Sequence, residues 1–214
     1  MQKQIKNIKM SISLRKAFNV ADEYFTPKIL VNILEPYIKL RHTKFINTEK
    51  REPVFWCPFD TENSEFCIFL KEHNYKYIYT HLSGGQDFFD IKPEYDIAIS
   101  NPPFSKKINI FNRLFELKKP FAMVMNMMII NYQNIGDLFI DKNIQLLIPN
   151  KKVSFNGSTS AFNSGYICCD FLPSDLIFCK IDNTNVGKHF VPSRMYKDLK
   201  NKIYETGNDK LRKK

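Results

Sequence analysis

The period of the hydrophobic positions changes several times along this chain, and the changes mark its elements. From Thr26-Pro27 onward, Ile29, Leu30, Ile33, Leu34, Tyr37 and Ile38 recur at three- and four-residue intervals, the spacing of one buried helix face. Thr26 can cap that helix and Pro27 suits its first position. A polar stretch from Arg41 to Glu52 leads to Pro53–Cys57, a short apolar run that reads as a buried strand. Ser64 or Asn63 can cap a helix carrying Phe66, Phe69 and Leu70, and Tyr77–Thr80 forms a second strand, which together predict a βαβ unit. After the Gly84-Gly85 turn, Tyr95–Ser100 predicts a third strand. Asn101-Pro102-Pro103-Phe104 ends it, because two prolines cannot continue a central ladder. A helix with Ile108, Phe111, Leu114 and Phe115 and a strand from Phe121 to Met127 repeat the alternation.

Beyond Asn131 four short strand candidates follow at Ile144–Ile148, Lys152–Phe155, Tyr166–Phe171 and Leu176–Ile181, with little room for helices between them. The pattern predicts an α/β fold: a Rossmann-like, mostly parallel twisted sheet with antiparallel C-terminal strands and helices on both faces. At 214 residues the chain suits one well-buried domain. The expected division is a basic N-terminal arm (1–20), one folded domain (21–187) and a basic C-terminal tail (188–214) that could hold a helix around Met195 to Tyr204.

Charge sharpens this picture. The formal total is +10, yet residues 51–100 alone carry −5, leaving +15 on the rest. One region thus suits a cationic or hydroxyl-rich ligand and the remainder a polyanion. Charged residues at 25% and hydrophobic ones at 43% exclude a disordered chain, and no apolar run of bilayer-spanning length occurs. Lys3, Lys6 and Lys9 precede no apolar core of a targeting peptide, and the five cysteines (Cys57, Cys67, Cys168, Cys169, Cys179) are odd in number. Reduced thiols in a cytoplasmic protein are the expectation. Scattered histidines and the absence of C-x-x-C spacing make a metal site an unsupported expectation.

Asn101-Pro102-Pro103-Phe104 lies directly after a predicted parallel strand, where open α/β sheets place their sites. Strand followed by NPPF resembles the catalytic motif of class I S-adenosylmethionine-dependent methyltransferases that act on exocyclic amino groups. The surrounding chain is similar to small, phage-encoded adenine-N6 DNA methyltransferases, from Asp22 to about Phe178 and most strongly from Phe55 to Phe121. The resemblance implies a class I methyltransferase fold, S-adenosylmethionine as cofactor, DNA as partner and a bacterial host cytoplasm as location. It implies that Asn101 Oδ1 and the Pro102 carbonyl accept the two N–H hydrogens of the adenine amino group. Pro103 would help fix that backbone, and Phe104 would offer a stacking face to an extruded base.

On the cofactor side the chain departs from the resembled family. Where members carry Asp-Pro-Phe with following glycines, this sequence reads Cys57-Pro58-Phe59-Asp60-Thr61. Pro58, Phe59, Asp60 and Ser64 are the candidates around the methionine moiety. The resemblance places Asp87 and Phe88 at the cofactor's adenine, and Tyr24 and Thr26 in an N-terminal cofactor motif. Thr80-His81 stands where an acidic ribose ligand is expected, and His81 is either a substitute ligand or a loop histidine. Lys106, Lys107, Lys151, Lys152, Asn156 and Ser158 are candidate nucleic-acid contacts, or solvated surface. RNA amino groups, a protein glutamine amide, or a binding role without catalysis remain the alternative readings. With so little chain outside the catalytic domain, short or relaxed sequence recognition is expected.

Overall fold

A computed structural model of the chain describes residues 25–155 and 161–181. Its elements in order are α1 (Lys28–Glu49), β1 (Val54–Cys57), α2 (Glu65–Glu72), β2 (Lys76–Tyr79), β3 (Ile97–Ser100), α3 (Lys107–Leu117), β4 (Phe121–Asn126), α4 (Gln133–Phe139), β5 (Ile144–Pro149), β6 (Val153–Ser154), β7 (Ala161–Phe162), β8 (Ser164–Cys169) and β9 (Leu176–Cys179). Seven strands form one sheet in the order β2-β1-β3-β4-β8-β5-β9. β1 pairs in parallel with β2 and β3, and β3 with β4. β8 runs antiparallel to both of its neighbours, β4 and β5, while β9 is parallel to β5. Every strand of the sheet except β8 therefore has its carboxyl end on the same edge.

Strand alternation builds two cores. Phe55, Cys57, Ile97, Ile99, Ala122 and Val124 face α1 and α2, whereas Trp56, Ala98, Phe121, Met123 and Met125 face α3 and α4. Successive side chains point to opposite faces, so continuous apolar runs such as Val54–Cys57 and Phe121–Met125 supply both layers at once. The Rossmann-like sheet with helices on both faces is thus present. A bidentate fork from Arg51 to Asp96 (2.7 Å for each bond) fastens the start of β1 to the start of β3, and the Val54 amide donates to the same carboxylate at 2.9 Å.

Several expectations are corrected. The first helix does not stop where its sequence turns polar: it runs to Glu49 and is closed by Lys50, whose φ of 59° lets its amide reach the Ile46 carbonyl. Only Phe45 and Ile46 of its last turns are half-buried, so the apolar periodicity fades although the helix continues. Pro27, not Thr26, occupies the cap position, and no side chain caps it. Past Asn131, α4 was not expected, and only β8 is antiparallel in the main sheet. The Lys152–Phe155 candidate shrinks to β6, which pairs with β7 in a separate hairpin. No α-helix occupies the crossover from β2 to β3, which is a short 3-10 turn at Leu82–Gly84 and then irregular chain. The arm at 1–20 and the tail at 188–214, including 195–204, lie outside the described residues.

Candidate active site

Strand β1 is followed in the sheet by β2 on one side and β3 on the other, so the loops leaving their carboxyl ends diverge and open a crevice at the point where the winding reverses. A cavity of about 410 Å³ lies there. Its wall is made by the loop after β1 (Pro58 to Ser64), the loop after β2 with its extension to Phe89, the Asn101–Phe104 segment after β3, and Phe25 and Thr26 before α1. The candidates Thr26, Pro58, Phe59, Asp60, Ser64, Asp87, Phe88, Asn101, Pro102, Pro103 and Phe104 all line it. Tyr24 lies outside the described residues.

The acceptor side is built by proline. Pro102 and Pro103 are buried, Pro103 is extended at φ −62° and ψ 127°, and a single 3-10 turn at Phe104–Lys106 hands the chain to α3. The Lys106 amide donates to the Pro103 carbonyl at 3.3 Å, whereas no backbone amide among the described residues donates to the carbonyl of Pro102. Phe104 is half-buried and packs on the α3 core. Asn101 Oδ1 is shielded from solvent, so an incoming group reaches it only if the side chain rotates or the chain above it moves.

The opposite wall is acidic and aromatic. Asp60 is buried and accepts a short hydrogen bond from the Ser100 hydroxyl, which in turn accepts from the Phe59 amide at 3.3 Å. Burial pushes the Asp60 carboxyl up to about 6, against the opposing pull of the Ser100 and Ser64 hydroxyls. Ser64 does not cap α2 with its side chain; its hydroxyl accepts from the Thr61 amide at 2.9 Å and folds the loop back under Asp60. Asp87 is also buried, and its Oδ1 accepts from the Phe89 amide at 3.0 Å, which fixes the turn that carries Phe88. The Phe88 ring stacks on Trp56 (centroids 5.4 Å apart) and tilts against Phe59 (4.8 Å), forming an apolar wall.

At the end of β2, Thr80 and His81 divide the work. Thr80 is a buried bolt: it receives the Trp56 indole N–H at 2.9 Å, and its own hydroxyl and amide donate to the Pro58 and Cys57 carbonyls. His81 lines the cavity and also holds the 3-10 turn, its Nδ1 accepting from the Ser83 amide at 3.2 Å. Sequence reasoning missed Ser100 and Gln86 and, at Thr80-His81, weighed only the histidine. For Ser100 there was a signal, a hydroxyl ending an otherwise apolar strand.

The basic candidates sit elsewhere. Lys106 and Lys107 are half-buried at the start of α3 without lining the cavity, and the Lys107 ammonium lies 5.7 Å from the Tyr132 ring centroid. Lys151 and Lys152 are exposed after β5, on the same edge of the sheet but outside the cavity wall. Asn156 and Ser158 fall outside the described residues. All five cysteines are unpaired with one another as thiols, four of them buried.

No protein-family model and no curated protein matches the chain. Solved structures with a similar fold include the modification subunit of a provisionally assigned type I restriction enzyme from Vibrio vulnificus YJ016, with 11% identity, a TM-score of 0.46 and coverage of 91% of this chain and 55% of that one. A provisionally assigned class I S-adenosylmethionine-dependent methyltransferase from Listeria monocytogenes has 10% identity and a TM-score of 0.40, covering 82% of this chain and 70% of that one. A provisionally assigned methyltransferase from Thermoplasma acidophilum has 10% identity and a TM-score of 0.32, covering 67% of this chain and 66% of that one. The chain thus spans about half the length of the Vibrio subunit. None of the three reaches a TM-score of 0.5, so the assignment of the cavity depends on this chain's own residues.

Proposed function

We propose that the protein transfers a methyl group from S-adenosylmethionine to the N6 amino group of adenine in DNA. One observation carries the reading: a single cavity joins the Asn101-Pro102-Pro103-Phe104 segment to a wall holding two buried carboxylates and an aromatic face. The lining fits the cofactor's chemistry. Among the described residues it includes Asp60 and Asp87 and neither lysine nor arginine, which favours a cationic, hydroxyl-bearing ligand. Its volume falls in the range of small-molecule pockets, about 300–1,000 Å³.

S-adenosylmethionine supplies an electrophilic methyl group on a sulfonium. Asp60, in the loop between β1 and α2, would hold the amino acid end. Asp87 keeps its Oδ2 for the cofactor's adenine, since Oδ1 serves the Phe89 amide, and Phe88 supplies the flat apolar surface beside it. On the other side, Asn101 Oδ1 and the Pro102 carbonyl accept the two hydrogens of the adenine amino group. That would pull the nitrogen lone pair out of conjugation with the ring and toward the methyl, so that the N–C bond forms as the C–S bond breaks, S-adenosylhomocysteine leaves as the neutral thioether, and the surplus amino proton passes to solvent. Once binding of the base has exposed Asn101 Oδ1, the two converging acceptors stabilise the charge that develops on the amino group, and Phe104 stacks on the extruded base.

The test is transfer of tritiated methyl from S-adenosylmethionine to DNA, RNA and protein in parallel, followed by nucleoside analysis. N6-methyl-2′-deoxyadenosine recovered from DNA is the expected product. Label confined to RNA or to a protein glutamine would transfer the reading to that acceptor, and no label in any arm would leave only a binding role.

A further inference from the structure

The carboxyl end of β4 lies beside that of β3, so the chain leaving β4 borders the Asn101–Phe104 segment. It forms a 3-10 turn at Met127–Asn131 and then α4. This turn is firmly seated: Ile129 is buried, Asn126 Oδ1 accepts from the Met128 amide at 3.0 Å, and the Met127 amide donates to the Asn163 carbonyl at 2.7 Å. On that rigid frame two large apolar side chains face solvent, Met128 at 55% and Tyr132 at 46% exposure. Rigidly held, exposed aromatic and thioether side chains next to a reactive cavity mark a contact surface.

The chemistry around Tyr132 selects the partner. An open depression is lined by Tyr132, Gln133, Asn134 and Asp137. It offers a ring face, two amides and one carboxylate, which suit the face and polar edge of a nucleobase and repel a phosphate. The first turn of α4 is closed on Tyr132 itself, whose carbonyl accepts from the Ile135 and Gly136 amides at 2.9 and 2.8 Å. The cation belongs to the neighbouring element: Lys107, three residues beyond Phe104, reaches the Tyr132 ring. Base stacking on an aromatic ring with a lysine at the backbone is how single strands are held with little regard to sequence.

We infer that Tyr132 and Met128, with Lys107, form the platform that receives the nucleotide next to the extruded adenine, Tyr132 stacking on its base and Lys107 meeting its phosphate. The inference rests on the proposed function, and adds to it the residues that hold the nucleic acid. A ring face accepts any base, so this platform agrees with the expectation of short or relaxed sequence recognition.

The experiment measures binding of a fluorescent, adenine-containing single-stranded oligodeoxynucleotide by anisotropy, and of S-adenosylmethionine by calorimetry, in the full-length protein and in its Tyr132→Ala, Tyr132→Phe and Lys107→Gln variants. Tyr132→Ala should weaken oligonucleotide binding about tenfold, Tyr132→Phe should bind like the unmodified protein, and Lys107→Gln should flatten the salt dependence. Cofactor affinity should stay unchanged in all three. Oligonucleotide affinity unaltered by Tyr132→Ala, in a protein that methylates DNA, overturns the platform and leaves the proposed function standing. An unmodified protein that neither binds nor methylates DNA removes both.

Discussion

Asp60 is a carboxylic acid that folding places at a disadvantage, and replacing it by asparagine tests that directly. Burial raises its carboxyl from the ordinary 3.8 to about 6. Between those two values the native state therefore holds a proton that the unfolded state has released. Stability from this group is full below pH 4, falls as pH rises from about 4 to about 6, and is flat above, where both states are ionised. At ~1.4 kcal/mol per pH unit, the interval amounts to a destabilisation of about 3 kcal/mol at neutral pH. Asparagine keeps an oxygen for the Ser100 hydroxyl and never ionises.

Urea unfolding of the two proteins between pH 4 and 8 is the assay, because every other titrating group is common to both and cancels in the difference. The curves should nearly coincide at pH 4 and separate to about 3 kcal/mol by pH 7, with Asp60→Asn the more stable. The same variant should bind S-adenosylmethionine more weakly, since the destabilising charge is the one proposed to hold the cofactor's amino acid end. An asparagine variant equal to or less stable than the unmodified protein across pH 6 to 8 would refute the argument from burial.

Further outcomes follow from the same geometry. Asn101→Ala should abolish methyl transfer while calorimetric binding of S-adenosylmethionine stays nearly intact; a near-normal rate would sink the catalytic assignment. Asp87→Ala should weaken cofactor binding and loosen the Phe88 turn, and Asp87→Asn should keep the turn, through the Phe89 amide, but not the affinity. Thr80→Val removes the acceptor of the buried Trp56 N–H and should cost about 1–3 kcal/mol in chemical denaturation. Burial opposes ionisation of Asp96, but the Arg51 fork and the Val54 amide outweigh it and hold the carboxyl below its ordinary value. Its contribution is thus present above pH 4 and is lost as pH falls. Arg51→Met should blunt this acid-side loss in unfolding curves at pH 2 to 5.

The sheet and its site were legible because they rest on local, strongly apolar signals. Val54–Cys57 and Ile97–Ser100 are buried on both faces, so their sequences show unbroken apolar runs, and Asn101-Pro102-Pro103-Phe104 ends the second with an unmistakable stop. What sequence could not show was set by long-range packing. The second half of α1 buries little, so its polarity concealed a helix. β8 enters the sheet between β4 and β5, a choice of partner that no local pattern encodes, and β9 turns parallel for the same reason. His81 divided two readings because it serves both, holding its own turn while lining the cavity. Asp60 was singled out by its place before a helix and Asp87 by the resemblance, but the state of a buried acid depends on its partners: Asp60 is pushed up by burial, while Asp96, which sequence did not single out, is held down by an arginine.

The absence of glycine after β1 has a physical counterpart. A glycine-rich turn lets a ligand approach bare backbone; here the Phe59-Asp60-Thr61 loop carries side chains and is fixed instead by hydroxyls from the ends of its neighbours. Ser100, the last residue of β3, joins the Phe59 amide to the Asp60 carboxyl, Ser64 takes the Thr61 amide, and Thr80, just past β2, holds the Pro58 carbonyl and the Trp56 indole. Three adjacent loops are thereby locked at the points where the sheet releases them. Ser100 is also the residue before Asn101, so the hydroxyl that orients the proposed cofactor ligand is one peptide away from the proposed acceptor of the amino group. The two halves of the site thus share one buried strand end, which would keep the two partners of the proposed in-line transfer in register.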